Sequence, residues 1–78
     1  MNTTWRVVIL DDHVNSYAVV VYLLQTLCGM TLEHAVRFAN DVHHRGSADV
    51  AVFPAQEEAE RLVVAFQRRG LHATARRG

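Results

Sequence analysis

A chain of 78 residues, half of them apolar, has room for one domain with one small core, burying roughly 60 to 65% of the surface its unfolded form exposes. That leaves little space for an enzymatic cleft. Eight arginines, with no lysine, balance eight Asp and Glu, so no overall field draws the chain to nucleic acid or to an anionic membrane, and partners must be recognised locally. Cys28 is the single cysteine, which excludes an internal disulfide and suits a reducing cytoplasm. Met1-Asn2-Thr3-Thr4 carry no basic region leading into an apolar run, and the apolar stretch from Tyr17 to Leu24 is far too short to cross a bilayer.

Trp5 to Leu10, an apolar run with β-branched residues that stops at Asp11-Asp12, reads as a buried strand. Asn15 or Ser16 can accept the orphan N–H groups of a first helix that runs through Leu27, and Gly29 supplies its left-handed stop. Val19-Val20-Val21 would suit a strand, but about twelve continuous residues exceed the usual strand length, which favours the helix. Thr31 opens a second helix in which Leu32, Ala35, Val36, Ala39 and Val42 make one apolar stripe. Gly46 ends it. Ala48 to Phe53 alternates as a strand with Ala48, Val50 and Val52 on one face, and Pro54 sits where a third helix begins. Ala55, Ala59, Leu62, Val63 and Phe66 form that helix's inward stripe, Glu57 and Arg61 pair on its outside, and Gly70 closes it. Leu71 to Ala75 is a last strand before the tail Arg76-Arg77-Gly78. The predicted fold is α+β, a small three-stranded antiparallel sheet packed against three helices in the order β-α-α-β-α-β, forming a single domain over 1–78 with its core at 5–75.

The chemistry-bearing pattern is Asp11-Asp12 between strand and helix, with His43 near the end of the next helix. An ammonium group has three donors and needs acceptors only. Two ionised carboxylates provide them, and a neutral imidazole adds one through its unprotonated nitrogen. Residues 39, 42 and 43 share a face of the second helix, and residues 17, 20 and 24 share a face of the first, so apolar side chains would wall the space beside the charges. Each position also has an ordinary structural reading. Aspartates before a helix commonly form a solvated turn or cap, a histidine at a helix C-terminus offsets the dipole, and Val20, Ala39 and Val42 could be plain core. Zinc needs three or four converging ligands, whereas His43 and His44 diverge by about 100° round a helix, so no metal and no cofactor is expected. Cys28 has no base at helical spacing, so it reads as packing and the chain does not read as an enzyme.

Val8-Ile9-Leu10-Asp11-Asp12-His13-Val14-Asn15-Ser16-Tyr17, then Val42-His43-His44-Arg45-Gly46, then Gly70-Leu71-His72-Ala73-Thr74 together resemble the ClpS family of adaptors for the Clp protease. The resemblance runs from Trp5 to Thr74. It implies a cytoplasmic adaptor that binds N-degrons, substrates whose free N-terminal residue is a bulky Leu, Phe, Tyr or Trp, and hands them to a Clp AAA+ unfoldase. Carried over by position, Asp11 stands where the family usually has an asparagine that binds the α-amino group. Asp12 matches its acidic neighbour, and His43 matches the histidine that also contacts the amine. Val20, Ala39, Val42 and Leu71 stand at positions that line the side-chain pocket, and Tyr17 replaces a methionine that commonly gates it. Two departures follow, since Asp11 adds negative charge at the amine site, and Tyr17 with Ala39 in place of two methionines reshapes the pocket.

Two other functions compete with this one. One is an interaction domain like the C-terminal domain of the ribosomal stalk protein, which would favour a lysine-rich helical face that this chain lacks. The other is a degenerate ClpS-like module without degron binding, which the extra charge of Asp11 leaves open.

Overall fold

The computed structural model describes residues 3–12 and 15–78; His13 and Val14, part of the motif after the first strand, lie outside them. The elements are β1 (Trp5–Leu10), α1 (Tyr17–Cys28), α2 (Leu32–Arg45), β2 (Ser47–Phe53), α3 (Gln56–Arg68) and β3 (Ala73–Arg77). The sheet is antiparallel in the order β2-β1-β3, so the strand that carries the aspartate pair is the central one. Val7 and Ile9 point from it into a core shared with Leu24, Val42, Phe66 and Leu71. Helix α1 packs on α2, α2 on β2, and α3 on β1 and β3. The whole is the expected α+β arrangement.

Local chemistry starts and stops the helices. Ser16, in extended conformation, accepts a hydrogen bond from the Val19 N–H at 3.3 Å, and Thr31 accepts from the His34 N–H at 3.3 Å, each side chain satisfying a donor the first turn cannot pair. Of the two candidate caps for α1, Ser16 therefore serves, which releases Asn15 for other contacts. Pro54 lies one residue outside the α3 cap, Ala55, rather than in its first turn. Nor do Glu57 and Arg61 form an ion pair; on that face Gln56 Nε2 donates to Glu60 Oε1 at 2.9 Å.

Both outer strands depart from the expected pattern for identifiable reasons. In β2, Val7 pairs with Ala51 and Val8 with Asp49, a register shift that leaves Val50 as an extra residue. Such a bulge exchanges the two faces beyond it. Ala48 and Val50 are buried as expected, but Val52 is 59% exposed, and Ala51 and Phe53 pack against the core in its place. Leu71 does not begin β3. Its N–H returns to the Phe66 carbonyl at 3.1 Å while that of Gly70 bonds the Gln67 carbonyl at 3.0 Å, the pair of bonds that closes a helix through a left-handed residue. Gly70 fills that position at φ +83°. The strand instead reaches Arg77, which pairs with Trp5, and the Gly78 N–H donates to the Thr4 carbonyl at 3.0 Å. The arginines expected in a tail are thus strand residues.

Cys28, the last residue of α1, packs partly against the core, and burial pushes its thiol up from an ordinary 9.0 to about 11. Since the unfolded chain releases this proton first as pH rises, the Cys28 contribution to stability is intact below about pH 9 and is lost as pH climbs toward about 11. Iodoacetamide at pH 8 should alkylate the folded protein far more slowly than the urea-unfolded chain. Equal rates would place the thiol in water.

Candidate functional site

The turn after β1 is held by three other parts of the chain. The Leu10 N–H donates to the His72 carbonyl at 3.0 Å, and the Asp11 N–H donates to the Gly46 carbonyl at 2.9 Å. Gly46 ends α2 in a left-handed conformation, φ +87°, with its own N–H on the Val42 carbonyl at 2.9 Å. Because His43 lies in that last turn, the bond brings Asp11 to the end of the helix that carries the histidine. Sequence spacing could not establish that.

The third tie is Asn15, considered from sequence only as a cap. Its backbone N–H donates to Asp12 Oδ1 at 3.1 Å, and its Nδ2 donates both to Asp12 Oδ2 at 2.9 Å and to the Gly70 carbonyl at 2.8 Å. One amide therefore orients the Asp12 carboxylate and joins it to the turn before β3, beside Leu71. Both carboxylate oxygens of Asp12 thus accept from Asn15. The visible signal was the Asp-x-x-Asn spacing before a helix, the pattern of a side chain capping a turn three residues on.

Tyr17 opens α1 and reaches across to α2. Its ring stacks on the His43 imidazole, with centroids 5.5 Å and planes 20° apart, and its hydroxyl donates to the Val36 carbonyl at 3.3 Å. Val20, Ala39, Val42 and Leu71 are all within 2% of full burial and belong to the main core. Tyr17 and His43 are thus in contact and Asp11 is tied to the end of the same helix, while Val20, Ala39, Val42 and Leu71 are packed into the core. Shallow grooves lie elsewhere, one along α2 at Leu32, Glu33, Val36, Arg37 and Asn40, another along α3 at Glu57, Glu60, Arg61, Val64, Ala65 and Arg68. Leu32, expected in the buried stripe of α2, is 59% exposed at the mouth of the first. Among the described residues no three His, Cys, Asp or Glu side chains gather as metal ligands would, and no helix is long and apolar enough to cross a membrane.

Comparison with known proteins agrees with the geometry. The family described as "ATP-dependent Clp protease adaptor protein ClpS" matches residues 1–74. The chain is 39% identical over 70 residues to the ClpS adapter of Streptomyces avermitilis, which covers 90% of this chain and 66% of that protein. It is 37% identical over 70 residues to the ClpS adapter of Streptomyces coelicolor, covering 90% and 72%, so it spans about two thirds of the length of these relatives. Its fold is similar to that of Agrobacterium tumefaciens ClpS2, solved bound to L-phenylalaninamide, with a TM-score of 0.93 over 100% of both chains at 21% identity. On the extent of the family match and the identity to these relatives, the chain belongs to the ClpS family of adaptor proteins of the ATP-dependent Clp protease.

Proposed function

We propose that this protein binds the free N-terminus of polypeptides that begin with Leu, Phe, Tyr or Trp and presents them to a Clp AAA+ unfoldase in the cytoplasm. The observation that carries the reading is the backbone bond from the Asp11 N–H to the Gly46 carbonyl, which ties the turn bearing the two aspartates to the end of α2, the helix whose last turn holds His43. That is an acceptor-rich site beside buried apolar residues. The ammonium of a first residue would donate to Asp11, Asp12 and His43, and its side chain would press between Val20, Ala39, Val42 and Leu71 beside Tyr17. L-phenylalaninamide, the ligand of the similar ClpS2, has the same three parts: a free amine, an apolar side chain and an amide in place of the next peptide bond.

A competing reading, a ClpS-like module without degron binding, draws support from the burial of the four wall residues. A titration against peptides that differ only in their first residue separates the two. Leu, Phe, Tyr and Trp should bind, and Gly or Asp should not, because burying a large apolar side chain is worth roughly 1.5 to 3 kcal/mol. Uniform affinity across the series would leave the adaptor family in place and remove the degron pocket.

A further inference from the structure

Leu71, a wall residue 2% exposed, lies between two carbonyls that both accept from the segment bearing the aspartates. The His72 carbonyl takes the Leu10 N–H at 3.0 Å, and the Gly70 carbonyl takes Asn15 Nδ2 at 2.8 Å. The first bond runs between backbones and does not depend on the side chain at 10. The second needs a donor side chain at 15. The turn that carries Leu71 is itself anchored to α3, whose Phe66 and Gln67 carbonyls accept from the Leu71 and Gly70 N–H groups. Asn15 is thus the side chain that ties the turn after β1 to the end of α3.

Resting on the amine-binding reading above, we propose that Asn15 is a positioning residue that makes recognition of the amine and of the first side chain interdependent. It grips Asp12 at both oxygens, with its backbone N–H on Oδ1 at 3.1 Å and its Nδ2 on Oδ2 at 2.9 Å. Held at two points by bonds to its charge, the carboxylate cannot rotate freely. The amide NH2 has two donors, and because the group is planar they diverge at a fixed angle toward Asp12 and the Gly70 carbonyl. Neither acceptor can shift without the other. A hydroxyl, with one donor, could serve only one of them. The carboxylate that meets the ammonium and the turn that holds Leu71 therefore keep one spacing before any peptide arrives, which lowers the cost of ordering the site on binding. A first residue whose side chain seats against Leu71 brings its amine to Asp12 in the same pose. Without the bridge the two ends bind independently, and the coupling between them is lost.

The test reads two affinity ratios by competition titration with wild type, Asn15→Ala and Asn15→Asp. One is free amine over acetylated for a peptide beginning with Phe, and the other is Phe over Ala as first residue of free-amine peptides. Asn15→Ala keeps the backbone bonds at Leu10, Asp11 and Asp12, so the fold persists, while Asn15→Asp keeps the size but turns acceptors toward both partners. Both ratios should fall roughly 3- to 10-fold in each variant. A fall in the first ratio alone would make Asn15 a local support of Asp12 and overturn the coupling. Equal weakening of every peptide, with both ratios unchanged, would overturn it as well and leave amine binding standing. If wild type itself shows no preference for the free amine, the amine reading fails and the proposal fails with it. Should a variant unfold, NMR of the ligand-free wild type decides the bridge. Asn15 amide protons that exchange with solvent far more slowly than those of the exposed Asn40 support it, and equal exchange overturns it.

Discussion

N-acetylation of a peptide that begins with Phe should lower its affinity for this protein by roughly a hundredfold or more. The free ammonium offers three charged donors to Asp11, Asp12 and His43, whereas the acetylated nitrogen is a neutral amide with a single N–H. Hydrogen bonds to charged groups contribute roughly 1.5 to 3 kcal/mol each and do not sum within one cluster. Losing the charge should thus cost about 3 kcal/mol, which is the hundredfold. Isothermal titration of the paired peptides reads it directly. Equal affinities would mean that the aspartates and the histidine do not bind an amine.

The same chemistry predicts that Asp12→Ala and His43→Ala each weaken binding by roughly 1.5 to 3 kcal/mol. Asp12 also holds Asn15 through both carboxylate oxygens, so its removal acts on the turn as well as on the ligand. Asp12→Asn removes the charge but keeps one oxygen for Asn15 and turns an NH2 toward the other Asn15 donor, so its melting curve reports the cost to the turn. An affinity loss close to that of Asp12→Ala, with thermal unfolding near wild type, would assign the effect to charge.

The elements legible in the sequence were those whose signals are local. The apolar β-branched run of Trp5 to Leu10, the caps Ser16 and Thr31, and the left-handed glycines 29, 46 and 70 all act within a few residues of themselves. What stayed hidden was set by partners distant in the chain. Val52 faces outward because a bulge opposite Val7 and Val8 shifts the register, which no pattern inside β2 announces. Leu71 resembles the start of a strand, yet its N–H returns to Phe66. Arg76 and Arg77 resemble a solvated tail until β1 supplies the strand they pair with. The candidate site divides in the same way. Asp11, Asp12 and His43 could be picked out by residue type and helical phase, but Asn15 gained its role from the Gly70 carbonyl, 55 positions away. The contacts of Tyr17 with Val36 and His43 followed from how α1 lies on α2, which composition does not encode.

Ala39→Met should destabilise the fold and reorder the preferred first residues together. Ala39 is wholly buried, so three added heavy atoms must displace neighbours, and overpacking of a formed core costs roughly 1 to 3 kcal/mol. In a domain of this size each kcal/mol lowers the melting temperature by about 4 to 8 °C. Tyr17, partly exposed and in contact with Val36 and His43 on the same helix, is the side chain best able to give way. Part of the added volume should therefore push that ring outward, and the rest should fill the space an aromatic first residue would use. Phe and Trp peptides should lose affinity relative to Leu, whose smaller side chain still fits. β-branched Val and Ile should stay poor ligands in both forms, since branching next to the backbone crowds the approach between Val42 and Tyr17. The measurement is a competition series of one peptide with varied first residues against wild type and Ala39→Met, with melting curves of both proteins. A lowered melting temperature with an unchanged ranking would keep Ala39 as core alone, and the side chain of a bound first residue would then have to lie away from the middle of α2.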